Sequence, residues 1–434
     1  MRMGDSHFSD QMHRLVFPTP PCAEAQTSDK WYHGGSVPTE QQGWKLYLSS
    51  SLENIVETID IALEVFELHG VHYKYCKNEV VFRRMNAGLL GYSQIGKNVV
   101  GYFDCEERLK RVVVLLKQKL EPFRDTAPTI PYAIPVGGGL PMSYRFGAFH
   151  GDTVTIGNET YPDNREKPAT WVFDHLADPL LALREEKRTD REFKKLLLSY
   201  PIFEVLSQSG KGGVFAAFDT NSETFKEVIL KVGYKNGQIL PDGRDGRDLI
   251  DAEWRFYREM EKRQVTHLAP KAERYLATSE RSVLILERIE GANLQALHLD
   301  NKLSWTDLNS ALDVLSSIHD SGLYVGDAKL SNFMRDEDRG RICALDFECG
   351  GFIQNGSVDR LCTFFFCNPS IEDLRTLDRV HFLYSILHPV ESGTFTETDR
   401  IIELGDFIRQ FRVTSELEEQ ILSLLRREIE QLRQ

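Results

Sequence analysis

The sequence predicts an α+β chain with more than one domain, and three observations carry that prediction. Its 434 residues exceed what one hydrophobic core usually organises, so two or three domains are expected. From Trp44 to Leu120, strand-like runs alternate with amphipathic helical stretches. From Pro201 a second series of strands begins and gives way to helices. The 41% hydrophobic and 27% charged fractions are those of ordinary soluble protein. A formal net charge of −13 argues against nonspecific binding to nucleic acid or to an anionic membrane. No window approaches about eighteen apolar residues and the N-terminus lacks a basic-then-apolar signal, so a cytoplasmic location is expected. The 7 Cys are scattered without a C-x-x-C or a Cys/His cluster, which fits reduced thiols and gives no support for zinc.

Residues 1–30 are polar, contain the Pro-rich passage FPTPPCAEAQTSDK, and read as an irregular arm, with order expected from near Trp31. KLYLS, Lys45 to Ser49, reads as a strand. Leu52, Ile55, Val56, Ile59, Ala62, Leu63 and Phe66 then fall on one helical face, with Ser50 and Glu53 as a capping box and Gly70 as the stop. A strand His72–Cys76, a helix Glu79–Met85, a strand Val99–Phe103 and a helix Glu106–Leu120 follow. Gly137-Gly138-Gly139 reads as a flexible loop rather than a phosphate cradle, because no helix start follows it. Ser143–Phe149 is an aromatic-rich strand holding Arg145, and Arg184–Lys195 mixes charges of both signs as a solvated linker helix. The expected boundaries are an arm 1–30, a first domain 31–185, a linker 186–200 and a second domain 201–434.

In the second domain, strands Ile202–Leu206 and Val214–Asp219 flank a loop containing Gly210, Gly212 and Gly213. The loop is no Walker motif, since no Ser or Thr follows Lys211, but it fits a flap over nucleotide phosphates. Lys231 stands in the middle of the apolar strand Val228–Val232, either as an edge-strand charge or as the residue that reaches nucleotide phosphates, and Glu253 on the helix Asp248–Arg263 is its expected partner ahead of Asp251 and Glu259. A strand Val283–Glu287 and the turn Glu290-Gly291 form a hinge, and Ser304 caps the helix that leads to YVGDAKLSNFMRDEDRGRICALDFE, Tyr324 to Glu348. There Asp327, Lys329 and Asn332 share a loop, and the strand Ile342–Leu345 ends on Asp346. Phosphoryl transfer needs these residue types. One carboxylate orients and deprotonates the acceptor hydroxyl, a Lys steadies the phosphoryl group, and an Asn with a second Asp holds Mg²⁺. His319 and His381 read as core or rim residues, and Asp378 either braces the loop or sits on a helix surface.

Residues 201–434 resemble a protein-kinase-like domain, with an N-lobe 201–290 and a C-lobe 291–434. The resemblance implies ATP or GTP as donor, with Mg²⁺. Gly326 stands where Arg commonly precedes the catalytic Asp, and Glu348 where Gly commonly follows Asp-Phe; no Ala-Pro-Glu motif is visible, although Cys367-Asn368-Pro369-Ser370 lies near its expected position. In the first half, Gln42–Ser49, Tyr73-Lys74-Tyr75, Ser93–Lys97 and Tyr144–Phe149 resemble the N-terminal lyase domain of class III lanthipeptide synthetases, in which a lyase domain precedes a kinase domain and a cyclase domain normally follows. This part is also similar to the phosphothreonine lyases secreted by bacterial pathogens. The resemblance implies Lys74 as the base, Lys45 as a phosphate-side lysine, and Arg145 and Lys97 as the phosphate clamp. The position of the proton-donating His is taken by Tyr47, with His72 the first substitute to consider and His33, His69 and His150 after it.

Together these expectations describe a bifunctional dehydratase of a ribosomal precursor peptide. Ser or Thr would be phosphorylated, and phosphate then eliminated to leave dehydroalanine or dehydrobutyrine. The chain reaches Gln434 just after a helix Ser415–Leu432, so ring closure would fall to a separate cyclase or to a longer form of the synthetase. The competing expectation is a peptide kinase whose lyase-like domain has decayed to a peptide-binding module, or a chain with neither half active. Tyr47 is the residue that favours it.

Overall fold

The computed structural model describes residues 17–18, 28, 30–185, 190–240, 243–353, 373–387 and 423. It is mixed helix and sheet, as the sequence predicts, and its Cα packing divides it into two units. The first comprises Met1–Glu192 with Gln208–Gly212 and Tyr234–Gly246; the second comprises Phe193–Ser207, Gly213–Gly233 and Arg247–Gln434. Most of the expected arm, and Cys367–Ser370 and nearly all of the expected helix Ser415–Leu432, lie outside the described residues.

The first unit is built on an antiparallel six-stranded sheet. Its strands are β1 (Trp31–Gly34), β2 (Gln42–Leu48), β3 (His72–Cys76), β4 (Val99–Phe103), β5 (Ile134–Pro135) and β6 (Met142–Ala148), in the order β1-β3-β4-β2-β6-β5. Helices α1 (Ile55–Leu68) and α3 (Glu106–Lys119) supply Ile59, Phe66, Leu109 and Val113 to a core shared with Leu46, Leu48, Tyr73 and Phe103. Alternation along β2 and β3 sends these apolar residues to one face and leaves the other to polar ones. Helix α2 (Glu79–Asn86) connects β3 to β4, and a hairpin β7 (Thr153–Ile156) with β8 (Glu159–Pro162) follows β6.

Two local expectations are corrected. Helix α1 starts after Asn54 with no side-chain cap, so Ser50 and Glu53 form no capping box. Ser50 is spent elsewhere: its N–H donates to Asn98 Oδ1 at 2.9 Å and its hydroxyl lies 3.2 Å from that of Thr58. The three glycines 137–139 are pinned rather than free. All have positive φ, and a Cβ on Gly137 would lie 2.1 Å from the Glu185 carbonyl oxygen, a position only glycine tolerates.

In the second unit, helix α4 (Arg191–Ser199) leads into β9 (Ile202–Gln208), β10 (Gly212–Phe218) and β11 (Glu227–Tyr234). Helix α5 (Gly246–Lys262) then precedes β12 (Ala272–Ala277) and β13 (Arg281–Glu287), and the five strands form one sheet in the order β12-β13-β11-β10-β9. After β14 (Gly291–Asn293) and α6 (Leu294–Leu299), the long helix α7 (Trp305–Asp320) opens on a full Ser304/Asp307 capping box. Then come β15 (Leu323–Tyr324), β16 (Phe333–Asp336), β17 (Arg341–Ala344) and β18 (Gly351–Phe352), and α8 (Leu374–Leu387) packs against α7. No helix among the described residues is long and apolar enough to cross a membrane.

Candidate active sites

The polar face of the first sheet collects the residues that the sequence scatters. Strand register sets His72, Tyr102, Lys45 and Arg145 side by side in one row, and His33, Lys74, Val100, Tyr47 and Ser143 in the next. Residues two apart on a strand share a face, so all of these side chains stand on the same side of the sheet. Lys97 joins them from the turn before β4, with its ammonium 4.8 Å from the centre of the Tyr47 ring. Lys74 lies 4.4 Å from the centre of the Trp31 ring. Every expected residue of the first site is therefore in one place.

Arg145 is 2% exposed, and a residue absent from the sequence-based reading holds it there. Buried Asp163 accepts from the Arg145 guanidinium at 2.8 Å and from the Ala148 N–H at 3.1 Å, and it lies 3.9 Å from both Lys45 and Arg165. Two further guanidinium bonds, to Asn164 O at 2.7 Å and Lys167 O at 3.4 Å, complete the hold, while Nε is buried without a partner. One carboxylate against this many cations leaves the face with surplus positive charge.

That surplus shapes the protonation of the lysines. Burial, and then Arg165, lower Lys74 to about 8. Burial lowers Lys45 to about 8 as well, partly offset by Asp163 and reinforced by Arg165, Arg145 and Lys74. Lys97 falls furthest, to about 7, through burial and then Arg145, Lys45, Arg165 and Lys74. Removing ammonium groups from water in a cationic cluster disfavours their charge, and a bound dianion would restore it. Tyr47 moves the other way, its phenol pushed well above the usual tyrosine range by burial. His72 and His33 are both lowered, first by burial, so neither is poised as an imidazolium near neutral pH.

In the second unit, Lys231 on β11 meets Glu253 of α5 at 2.5 Å and Asp346 at 2.6 Å. Burial works against its charge, but the carboxylates of Asp346, Glu253 and Glu348 outweigh burial and hold it well above the usual lysine range. Asp251, a less favoured partner, instead accepts the Tyr275 and Ser282 hydroxyls, and Glu259 pairs with Lys262. On the loop after β15, Lys329 Nζ donates to Asp327 Oδ2 at 2.7 Å, and Asn332 Nδ2 donates to the Asp327 carbonyl at 2.9 Å. The Leu345 N–H donates to Asn332 O at 2.8 Å, tying that loop to the chain entering Asp346. Phe347 stacks on Phe256 with ring centres 4.6 Å apart, which anchors the residue after Asp346 to α5.

Asp378 is fully buried and accepts from the Val325 N–H at 2.7 Å, the Gly326 N–H at 2.8 Å and His319 at 2.9 Å. It is a brace for the Asp327 loop, not a surface carboxylate. The glycine beside Asp327 has a physical reason as well. Gly326 has φ 85°, and a Cβ there would lie 2.1 Å from the Cys349 carbonyl oxygen, so the arginine common at that position could not be accommodated. Asp378→Ala should cost roughly 1–3 kcal/mol for each backbone donor it orphans. Urea unfolding followed by a probe in the second unit would measure it, and an unchanged midpoint would remove the brace.

The glycines of the β9–β10 loop carry less than their number suggests. Gly210 groups with the first unit, where a Cβ would lie 1.6 Å from Asn86 O, and a Cβ on Gly213 would meet the Phe215 ring at 2.5 Å. Both positions have packing reasons to lack a side chain. As for a metal, no group of three or more His, Cys, Asp or Glu among the described residues is placed to hold one. The amide oxygen of Asn332 and the carboxylate of Asp346 are hard donors, too few for a protein-only cage and suited to Mg²⁺ shared with phosphates.

Comparison with known proteins adds two findings. Residues 14–179 match the family model described as RamC, N-terminal domain. The chain is also similar to the probable SapB synthase of Streptomyces coelicolor, at 25% identity over 337 residues, which is 71% of this chain and 35% of that protein. It thus spans about a third of the length of the curated relative it matches.

Proposed function

We propose that the chain is a two-step dehydratase of a ribosomal precursor peptide of the class III lanthipeptide kind. The second unit, as a protein-kinase-like domain, phosphorylates Ser or Thr, and the first, as a phosphothreonine-lyase-like domain, expels the phosphate. The observation that carries this reading is the gathering of Lys45, Lys74, Lys97 and Arg145 on one buried sheet face with a single carboxylate, Asp163, among them. An excess of cations over carboxylates on this face suits a dianionic group, and a lysine of lowered basicity suits removal of a weakly acidic α-proton.

In the first step Asp327 orients the peptide hydroxyl and accepts its proton, while Lys329 steadies the moving phosphoryl group. Lys231, fixed by Glu253, holds nucleotide phosphates of ATP or GTP. Asn332 and Asp346 would hold Mg²⁺, which neutralises charge on the transferring phosphates when bound. In the second step Arg145 and Lys45 bind the phosphate of the modified residue, and Lys74 takes the α-proton. One chain carrying both steps keeps the phosphopeptide at high local concentration for the second. The peptide is the partner, and neither nucleic acid nor membrane takes part in the proposed scheme. The cytoplasm is the expected location.

The test is to incubate the chain with a Ser/Thr-rich candidate precursor, nucleoside triphosphate and Mg²⁺, and to follow peptide mass. Loss of water is the expected result. A stable gain of phosphate would sink the lyase half and leave a kinase with a binding module, and an unchanged mass would sink both halves.

A further inference from the structure

Elimination of phosphate from a phosphorylated residue breaks the Cα–H and Cβ–O bonds. Lys74 takes the proton, the Cα–H electron pair becomes the new double bond, and the Cβ–O pair leaves on the phosphate. A fully deprotonated phosphate is a strong base, so its departure is eased by a proton delivered to the bridging oxygen.

The polar face offers few donors. Tyr47 is packed with Val100 and Ile130 in an apolar patch, and burial raises its phenol, as it raises Tyr102 to about 12. His72 and His33 are held toward the neutral form by burial. The Lys45 ammonium already donates to the Ala148 carbonyl and has Asp163 beside it. Lys97 differs from all of these. It is 6% exposed, makes no ion pair among the described residues, and rests over the Tyr47 ring. Its turn is fixed, because buried Asn86 accepts from the Gly96 N–H at 3.2 Å and from the Asn98 amide at 3.1 Å, on either side of Lys97. The charged and titratable groups that act on it come from every neighbouring strand and loop: Lys45 on β2, Lys74 on β3, Arg145 on β6 and Arg165 after β8.

We propose that Lys97 is the catalytic acid of the elimination, giving its Nζ proton to the departing phosphate. The inference rests on the lyase reading above and sharpens it. A bound phosphate dianion supplies the missing counter-charge and keeps Lys97 protonated until the bond breaks. The same cationic neighbours that lower its basicity make it a stronger acid than an ordinary lysine. After the step Lys74 carries the extra proton, Lys97 is neutral, and exchange with solvent resets both.

The experiment uses the full chain without nucleotide, on two peptides of one sequence. One carries phosphothreonine; in the other β-chloroalanine replaces that residue, so that its chloride leaves without a proton. Lys97→Gln should lower kcat on the phosphopeptide by about 10²-fold or more while changing elimination of chloride less than about threefold, the scatter expected of an uninvolved group. Lys97→Arg, which keeps a phosphate-binding charge but holds its proton too tightly, should restore KM and not kcat. Equal losses on both peptides, or full rescue of kcat by Arg, would make Lys97 a clamp and overturn the proposal. If wild-type chain eliminates phosphate from neither a phosphoserine nor the phosphothreonine peptide, the lyase reading itself falls.

Discussion

Lys74→Ala should stop the pathway at the phosphopeptide. With nucleotide and Mg²⁺ present, mass spectrometry of the precursor is expected to show phosphate gained and not lost, with elimination slowed by about 10²–10⁴-fold, the range for a removed general base. The wild-type profile gives the same claim a pH signature. Burial and the neighbouring Arg165 lower Lys74 to about 8, and only its neutral form can take the α-proton. With Lys97 at about 7 as the proton donor, elimination measured as kcat/KM should be bell-shaped, climbing about tenfold per unit below about pH 7 and falling as steeply above about pH 8, since this ratio reports the free enzyme's acid and base. A stability consequence follows with its own sign. A lysine whose folded pKa lies below its unfolded value binds fewer protons when folded, so the first unit should gain stability as pH rises from about 8 toward 10.5. Dehydration by Lys74→Ala at the wild-type rate would move the base elsewhere on the sheet.

What the sequence made legible was local. β3 and β4 begin and end where the sequence reading puts them, and in β3 the alternation of His72, Tyr73, Lys74 and Tyr75 fixes the buried face as well. Lys231 and Glu253 were paired from a lysine inside an apolar strand and a carboxylate on the next helix, and they meet at 2.5 Å. What stayed hidden depends on long-range register. Asp163 follows a hairpin with no strong strand signal, and its value comes from lying beneath Arg145, eighteen residues earlier in the chain. Arg165 reads as one more surface charge until its field on Lys45, Lys74 and Lys97 is known. The Ser50–Glu53 motif matched a capping box, but Asn98 and Thr58 compete for Ser50 and win. Gly210 has a packing reason to be glycine whether or not a nucleotide passes near it.

Asp327→Asn should abolish the first step while leaving the second intact. The substitution keeps the shape of the side chain and removes the carboxylate that would accept the hydroxyl proton, so phosphorylation should fall by about 10²–10⁴-fold. Its neighbours make a folding defect an unsuitable explanation. The Asn332 amide bonds the Asp327 backbone carbonyl, which the substitution leaves in place, and Asp378 grips Val325 and Gly326 rather than Asp327 itself. The carboxylate's 2.7 Å contact with the Lys329 ammonium loses its charge, and its 3.4 Å contact with the Asn332 amide becomes a neutral one. The variant should still convert a synthetic phosphothreonine peptide to its dehydrated form at the wild-type rate, because elimination in the proposed scheme uses Lys74 and its neighbours alone. The pair of variants then separates the steps: Asp327→Asn is rescued by a phosphorylated peptide and Lys74→Ala is not. Phosphate incorporation by Asp327→Asn at the wild-type rate would remove Asp327 as the base. A failure of the supplied phosphopeptide to react would instead show that elimination depends on an intact second unit.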